Sequence, residues 1–291
     1  MGVESSDLGL FGPNSVIWQV HASSAGWVGG IRALLLQALE PRAMAGVSQF
    51  SRFDDDILAR FTNTSEFLMT VSYRPKEEAE AAIARVKQIH RQVRGIDKAT
   101  GRPFSANDPY LLAYVHNCLV DSLLDGYCSL KPKLPTSDRD QYVREMSLLA
   151  EMIGADMDDI PLTAVSVRRW LETREGLRLT NESKSAAEAL KDMNVPSFAA
   201  PLWSVAWNAA LAILPDFAST IYGFQLSQSQ KVGYLETAKC VSMAMELLLP
   251  SHPYFREAKY AYYRSYRQRE SGSMISFATS CRDIFRVMTT V

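Results

Sequence analysis

The chain has 291 residues, 47% of them hydrophobic, and its 31 basic and 32 acidic side chains leave a net charge of -1. That balance argues against nucleic acid or an anionic membrane as a partner, and the length is enough to bury a substantial core as one large domain or two smaller ones. The first twenty residues, MGVESSDLGLFGPNSVIWQV, lack a basic region followed by an apolar run and a cleavage site, so no secretory signal is read and the cytoplasm is the expected compartment.

In chain order, apolar residues recur at three- and four-residue spacing over 14–24, 27–39, 41–50, 54–73 and 76–94, then over 108–126, 136–153, 161–175 and 182–193. The same period continues over 200–213, 216–222, 228–248 and 253–268. Pro13, Pro41, Pro75, Pro109, Pro135, Pro161, Pro201 and Pro215 each stand near the start of such a segment, where a missing N–H costs a helix nothing. Runs of alternating β-branched residues are missing, so the expected fold class is all-α, a multi-helix bundle.

The longest apolar stretch, WVGGIRALLLQALEP, is broken by Arg32 and too short to span a bilayer, so it reads as a buried helix. GIDKATGRPFSANDP is the clearest long loop, its glycines, prolines and Asn-Asp-Pro supplying turns and the next helix cap. A second break, MNVPSFAAP, gives a place near residues 195–200 where an otherwise single domain would subdivide. Neither internal repeats nor low-complexity tracts appear. Cys118, Cys128, Cys240 and Cys281 are widely spread with no CxxC spacing, which reads as reduced thiols.

Motif searches narrow the chemistry. HExxH, a P-loop, GxGxxG after a strand, the Glu-x-x-His pairs of di-iron bundles and a GxSxG elbow are all missing. Histidine placement carries what signal remains. His90 in RVKQIHRQVRG falls among Ala82, Val86, Ile89 and Val93 on one apolar helical face, surrounded by Arg85, Lys87, Arg91 and Arg94. His116 in YLLAYVHNCLVDS lies likewise between Leu112 and Leu119–Val120.

A histidine on an apolar face is commonly a hydrogen-bonded core residue, and a run of cations is commonly a solvated surface. The combination also suits haem: iron takes a neutral imidazole nitrogen, the macrocycle takes apolar walls, and arginines neutralise two propionates. Two other classes stay open on the residues alone. His21, His90 and His116 with Asp121 would serve a non-haem metal enzyme, and a haem carrier or sensor would use His90 without catalysis.

The stretches GIRALLLQALEP, ARFTNTSEFLMTV, RVKQIHRQVRGIDKATGRPFSANDPYLLAYVHNCLVDS and PLWSVAWNAALAILP resemble the oxygenase family that contains latex-clearing rubber oxygenase and MpaB. The likeness runs from about residue 14 to 225, and the block from Arg85 to Ser122 is its most specific part. It implies an all-α fold with a globin-like core holding haem b through one histidine, and dioxygen chemistry on a small organic substrate, with room for an external electron donor. His90 then resembles the axial iron ligand, with Arg91, Arg94, His116 and Asn63 around the cofactor.

Arg60 and Thr64 in ARFTNT match the family's distal arginine and threonine, one helical turn apart. The resemblance gives the arginine the task of donating hydrogen bonds to dioxygen or to a developing anionic oxygen, and the threonine that of holding the arginine or relaying a proton. Without the resemblance, Arg60 would read as a surface partner of Asp54, Asp55 or Asp56. Two positions depart from the pattern: Asn63 stands where rubber oxygenases carry a lysine able to cap the iron, and Glu40-Pro41 stands where many relatives read His-Pro. The first departure points away from rubber cleavage. Trp18, Trp27, Phe61, Phe67, Tyr73, Tyr110 and Tyr114 would supply core or pocket wall.

Overall fold

A computed structural model of the chain describes residues 7–50, 53–98 and 100–271. Asp54 to Asp56, named above as partners for Arg60, have side chains outside that description, as does Cys281 entirely. Among the described residues thirteen α-helices and one short two-stranded sheet carry the structure, so the all-α reading holds.

The centre is a pair of helices, α2 (Gly26–Gln37) and α6 (Pro109–Leu130). The first is the arginine-interrupted apolar stretch and is buried as expected. Helix α6 starts where Asp108 accepts the N–H groups of Tyr110 (3.0 Å) and Leu111 (3.2 Å), with Pro109 in its first turn. The two backbones come close because neither crossing point has a side chain. A Cβ on Gly29 would lie 2.7 Å from the Ser122 carbonyl oxygen, and one on Gly126 would lie 3.0 Å from the Gly29 nitrogen.

Around this pair pack α1 (Val16–His21), α3 (Pro41–Phe50), α4 (Phe53–Tyr73), α5 (Lys76–His90), α7 (Thr136–Ile153), α8 (Ala164–Glu172) and α9 (Asn181–Lys191). After the MNVPSFAAP break come α10 (Ala200–Ala212), α11 (Asp216–Tyr222), α12 (Gln228–Leu248) and α13 (Pro253–Ser271). The main apolar cluster runs across that break, from Val16 to Ala238, and the Trp203 indole N–H donates to the Leu190 carbonyl over it at 3.0 Å.

One sequence expectation is corrected. The segment drawn over 76–94 stops at His90, and the long loop after it contains a hairpin, β1 (Arg94–Ile96) against β2 (Pro103–Ser105), antiparallel with Gly95 opposite Phe104. Val93, Gly95 and Ile96 are weaker helix formers than the residues before them, and Gly101 at φ 69° closes the turn. Phe104 is buried against Ala45, Leu111, Val93 and Tyr110, pinning the hairpin to α3 and to the start of α6.

Candidate functional site

Helices α4 and α5 form an antiparallel hairpin joined by Arg74-Pro75. Pro75 precedes α5, Glu77 and Glu78 occupy its first turn, and Lys87 and His90 its last, the charge order that the helix dipole favours. Arg74 grips Glu78 through two hydrogen bonds, 2.7 and 2.9 Å, one turn on. Only Ala79 and Ile83 of α5 are fully buried, so its apolar face is narrower than the sequence implied. Ile89, expected on that face, is 53% exposed.

His90 is the last residue of α5 and is half-buried. Its Nδ1 is buried and has no hydrogen-bond partner. A helix C-terminus ordinarily favours a protonated histidine, but burial and then the neighbouring Arg60 guanidinium hold the His90 pKa below its usual value. The ring is therefore neutral at pH 7, the form that ligates metal.

Arg60 sits half-buried on α4, close enough for its charge to act on His90. Thr64, one turn on, and Asn63 are exposed on the same helix. Phe61 turns the other way, edge-on to Trp203 at 5.5 Å and 6.1 Å from Trp27, and it lies where a Cβ on Gly30 would be 3.1 Å from its ring. Packing of Phe61 thus sets the rotation of α4, and with it the side from which Arg60 meets His90.

The remaining sequence candidates separate. Arg91 closes α5 by its backbone N–H on the Lys87 carbonyl (3.3 Å), Arg94 belongs to β1, and both side chains are exposed. His116 is buried on α6, and burial pushes its pKa down to about 4. His21 is also buried with a pKa near 4, but both its nitrogens are engaged: Nδ1 lies 2.8 Å from Ser72 Oγ and Nε2 lies 3.1 Å from the Tyr142 hydroxyl. Because Ser72 donates its own proton to the Leu68 carbonyl, His21 donates from Nδ1 and accepts at Nε2.

These facts correct the four-residue metal set of His21, His90, His116 and Asp121. Asp121 accepts from Arg32 Nη2 at 2.7 Å and from Arg168 Nε at 2.9 Å, which makes it the centre of a buried ion-pair network. Arg32, with no exposed surface, also donates to Ser122 Oγ (2.6 Å) and the Ile213 carbonyl (2.9 Å). Among the described residues no group of three or more His, Cys, Asp or Glu is placed to hold a metal ion. Sequence reading took Arg32 only as an interruption, although a charge inside a wholly apolar helix requires a buried partner. Glu40 acts locally: its carboxylate accepts from Arg42 Nε at 3.1 Å, and Arg42 lies over the Tyr110 ring, which ties α3 to α6.

Residues 18–243 match the family model described as ER-bound oxygenase mpaB/B'/Rubber oxygenase, catalytic domain. The fold is similar to the solved structure of latex clearing protein in the closed state, with TM-score 0.58, 16% identity, and coverage of 86% of this chain and 72% of the other. No curated protein sequence matches the chain.

Proposed function

Since the chain belongs to the MpaB/rubber oxygenase catalytic-domain family and is thereby an oxygenase, we propose that it is a haem b-dependent oxygenase acting on a small organic substrate, with His90 as the iron ligand. The observation that carries this reading is the neutral His90 ring with a buried, unpartnered Nδ1 beside Arg60. A buried polar atom without a partner costs about 1–3 kcal/mol and is uncommon, and for an imidazole beside an arginine a bound ligand would explain it. Arg60 next to it fits the need for a donor near reacting oxygen.

When bound, haem would supply the activation of dioxygen that side chains cannot. His90 would hold the iron, and Arg91 and Arg94 would reach the propionates as charge-assisted donors. Arg60 would orient dioxygen and stabilise negative charge as it develops on oxygen, and Thr64 would fix Arg60 or relay a proton toward that oxygen. Asn63 offers no amine to cap the iron, which favours a substrate other than rubber. His116, neutral through burial, would lie outside the iron's ligands and support the cofactor pocket.

Protein purified from haem-supplied cells should show a Soret absorption band with near-stoichiometric haem. His90→Ala should lose most of that haem while keeping its helical circular dichroism. Full haem retention with an unchanged spectrum in the variant would overturn the assignment and move the ligand to His116. A parent that binds transition metal without a Soret band would overturn haem itself.

A further inference from the structure

A cavity of about 240 Å³ opens between α3, the turn of the β1–β2 hairpin and the start of α9. It has room for roughly eight water molecules at about 30 Å³ each, or for one small organic molecule in their place. Pro41, Met44 and Ala45, which share one face of α3 at three- and four-residue spacing, give it an apolar wall.

The polar groups of the lining fall into two sets. The neutral ones hold the walls: Ser48 Oγ donates to the Ala45 carbonyl (3.3 Å), Gln49 Nε2 donates to the Ile96 carbonyl (3.0 Å), and Thr180 Oγ1 accepts the Ser183 N–H (3.1 Å) at the start of α9. The charged ones are not matched to each other. Lys98 and Glu182 both line the cavity, yet among the described residues neither charged group has an ion pair or a hydrogen bond. Asp97 adds a second acid, whose carboxylate accepts from the Thr100 hydroxyl. A cation and an anion that share a cavity without meeting across it are both answered by one occupant that carries the opposite charges. A lone anion would face two carboxylates, and a lone amine would face Lys98. Among the described residues no group of three or more His, Cys, Asp or Glu is placed to hold a metal ion there. A zwitterion meets each charge in its own place, and its apolar part covers the α3 wall.

We infer that the α3–hairpin–α9 cavity binds a free amino acid with an apolar side chain, its carboxylate toward Lys98, its ammonium toward Glu182 and Asp97, and its side chain on Pro41 and Met44. The site goes beyond the oxygenase reading and does not depend on it, because His90, Arg60 and Thr64 are not among its lining residues.

Isothermal titration with L-leucine and L-methionine tests the site, with leucinamide, which lacks the carboxylate, and N-acetyl-leucine, which lacks the ammonium, as probes of each end. Leucine should bind saturably, and each derivative about tenfold or more weakly. Lys98→Ala should weaken leucine about threefold or more and leave leucinamide unchanged, while Glu182→Ala should weaken leucine by a similar factor and leave N-acetyl-leucine unchanged, since each derivative already lacks the group that the variant no longer answers. Glu188→Ala, at an exposed position of α9 outside the lining, should bind as the parent does. Thermal melts followed by circular dichroism check that each variant folds, and two independent positions guard against one failing to. His90→Ala should retain parental binding, so loss of haem and loss of this site are read separately. The inference fails if leucine and methionine do not bind saturably, if the derivatives bind as leucine does, or if Glu188→Ala loses as much as Glu182→Ala. It fails equally if L-glutamate binds as tightly as leucine, or if inorganic phosphate binds more tightly and is lost in Lys98→Ala, since the cavity would then be a plain anion site.

Discussion

The α2–α6 pair and the α4–α5 hairpin handle buried polarity in opposite ways. In the first, Arg32 is completely buried and every polar contact around it is answered, by Asp121, Ser122 and the Ile213 carbonyl, with Arg168 and Asp125 completing the charge balance. In the second, His90 keeps a buried nitrogen unanswered, and the helix that faces it shows Asn63 and Thr64 to solvent. Satisfied polar groups in a core fix one packing arrangement, whereas an unsatisfied one, such as His90 Nδ1 or the Trp18 indole nitrogen, calls for a ligand, a water or a local cause. What sets His90 apart is that its unanswered nitrogen lies beside the Arg60 charge.

The largest expected effect lies in the scaffold. Arg32→Ala should cost about 3–5 kcal/mol in urea denaturation, because it leaves Ser122 and the Ile213 carbonyl short of a donor and opens a cavity between α2 and α6. His90→Ala in haem-free protein removes a group that is already unpaired, and should cost far less. Equal losses in the two variants would erase the distinction between the regions.

Acid should act on each buried histidine of the scaffold singly with the next largest effect. His21 and His116 have folded pKa values of about 4 against an ordinary 6.5, so between those values the unfolded chain binds more protons. The contribution is fully present above pH 6.5 and is lost as pH falls toward 4, by about 3 kcal/mol at most for each histidine. Urea midpoints measured from pH 7 to pH 4 should fall in the parent, and more gently in His21→Gln. A flat profile would mean that these rings are not held neutral by burial.

The smallest effect sharpens the site itself. Arg60 lowers the His90 pKa through its charge, so Arg60→Gln should raise that pKa toward the ordinary value while burial keeps it somewhat depressed. Titration of the His90 ring protons by NMR in haem-free protein reads this directly. No shift would place Arg60 too far away to act on the same small molecule as His90. Lys87, also near the end of α5, is the control: its ammonium donates to the Met152 carbonyl at 2.9 Å, and Lys87→Gln should leave the His90 titration where it is.

Much of the candidate site was legible as residues but not as an arrangement. The 60/64 pair on one helix and His90 on the next follow from helical spacing, since three or four residues make one turn whatever surrounds them. The meeting of Arg60 with His90 does not follow, because it depends on Phe61 seating against Gly30 and Trp203, a contact between residues far apart in sequence. Asp121 shows the reverse error: its carboxylate suggested a metal ligand, and two distant arginines had already claimed it.

The sequence by itself determined the helical class and most helix boundaries. Apolar period, proline in the first turn and side-chain caps such as Asp108 act within a few residues, so their energies are decided locally. It also placed His116 on a buried face of α6, although that helix is buried on nearly every side, with Tyr114, Asn117, Asp121 and Ser122 among the covered residues. Tertiary structure alone decided that α5 ends at His90 in favour of a hairpin pinned by Phe104, and that Ile89 faces solvent. It alone decided that Arg32 finds partners for its guanidinium and His90 Nδ1 finds none. Periodicity states that a face is covered, and only the packing of one helix on another states by what.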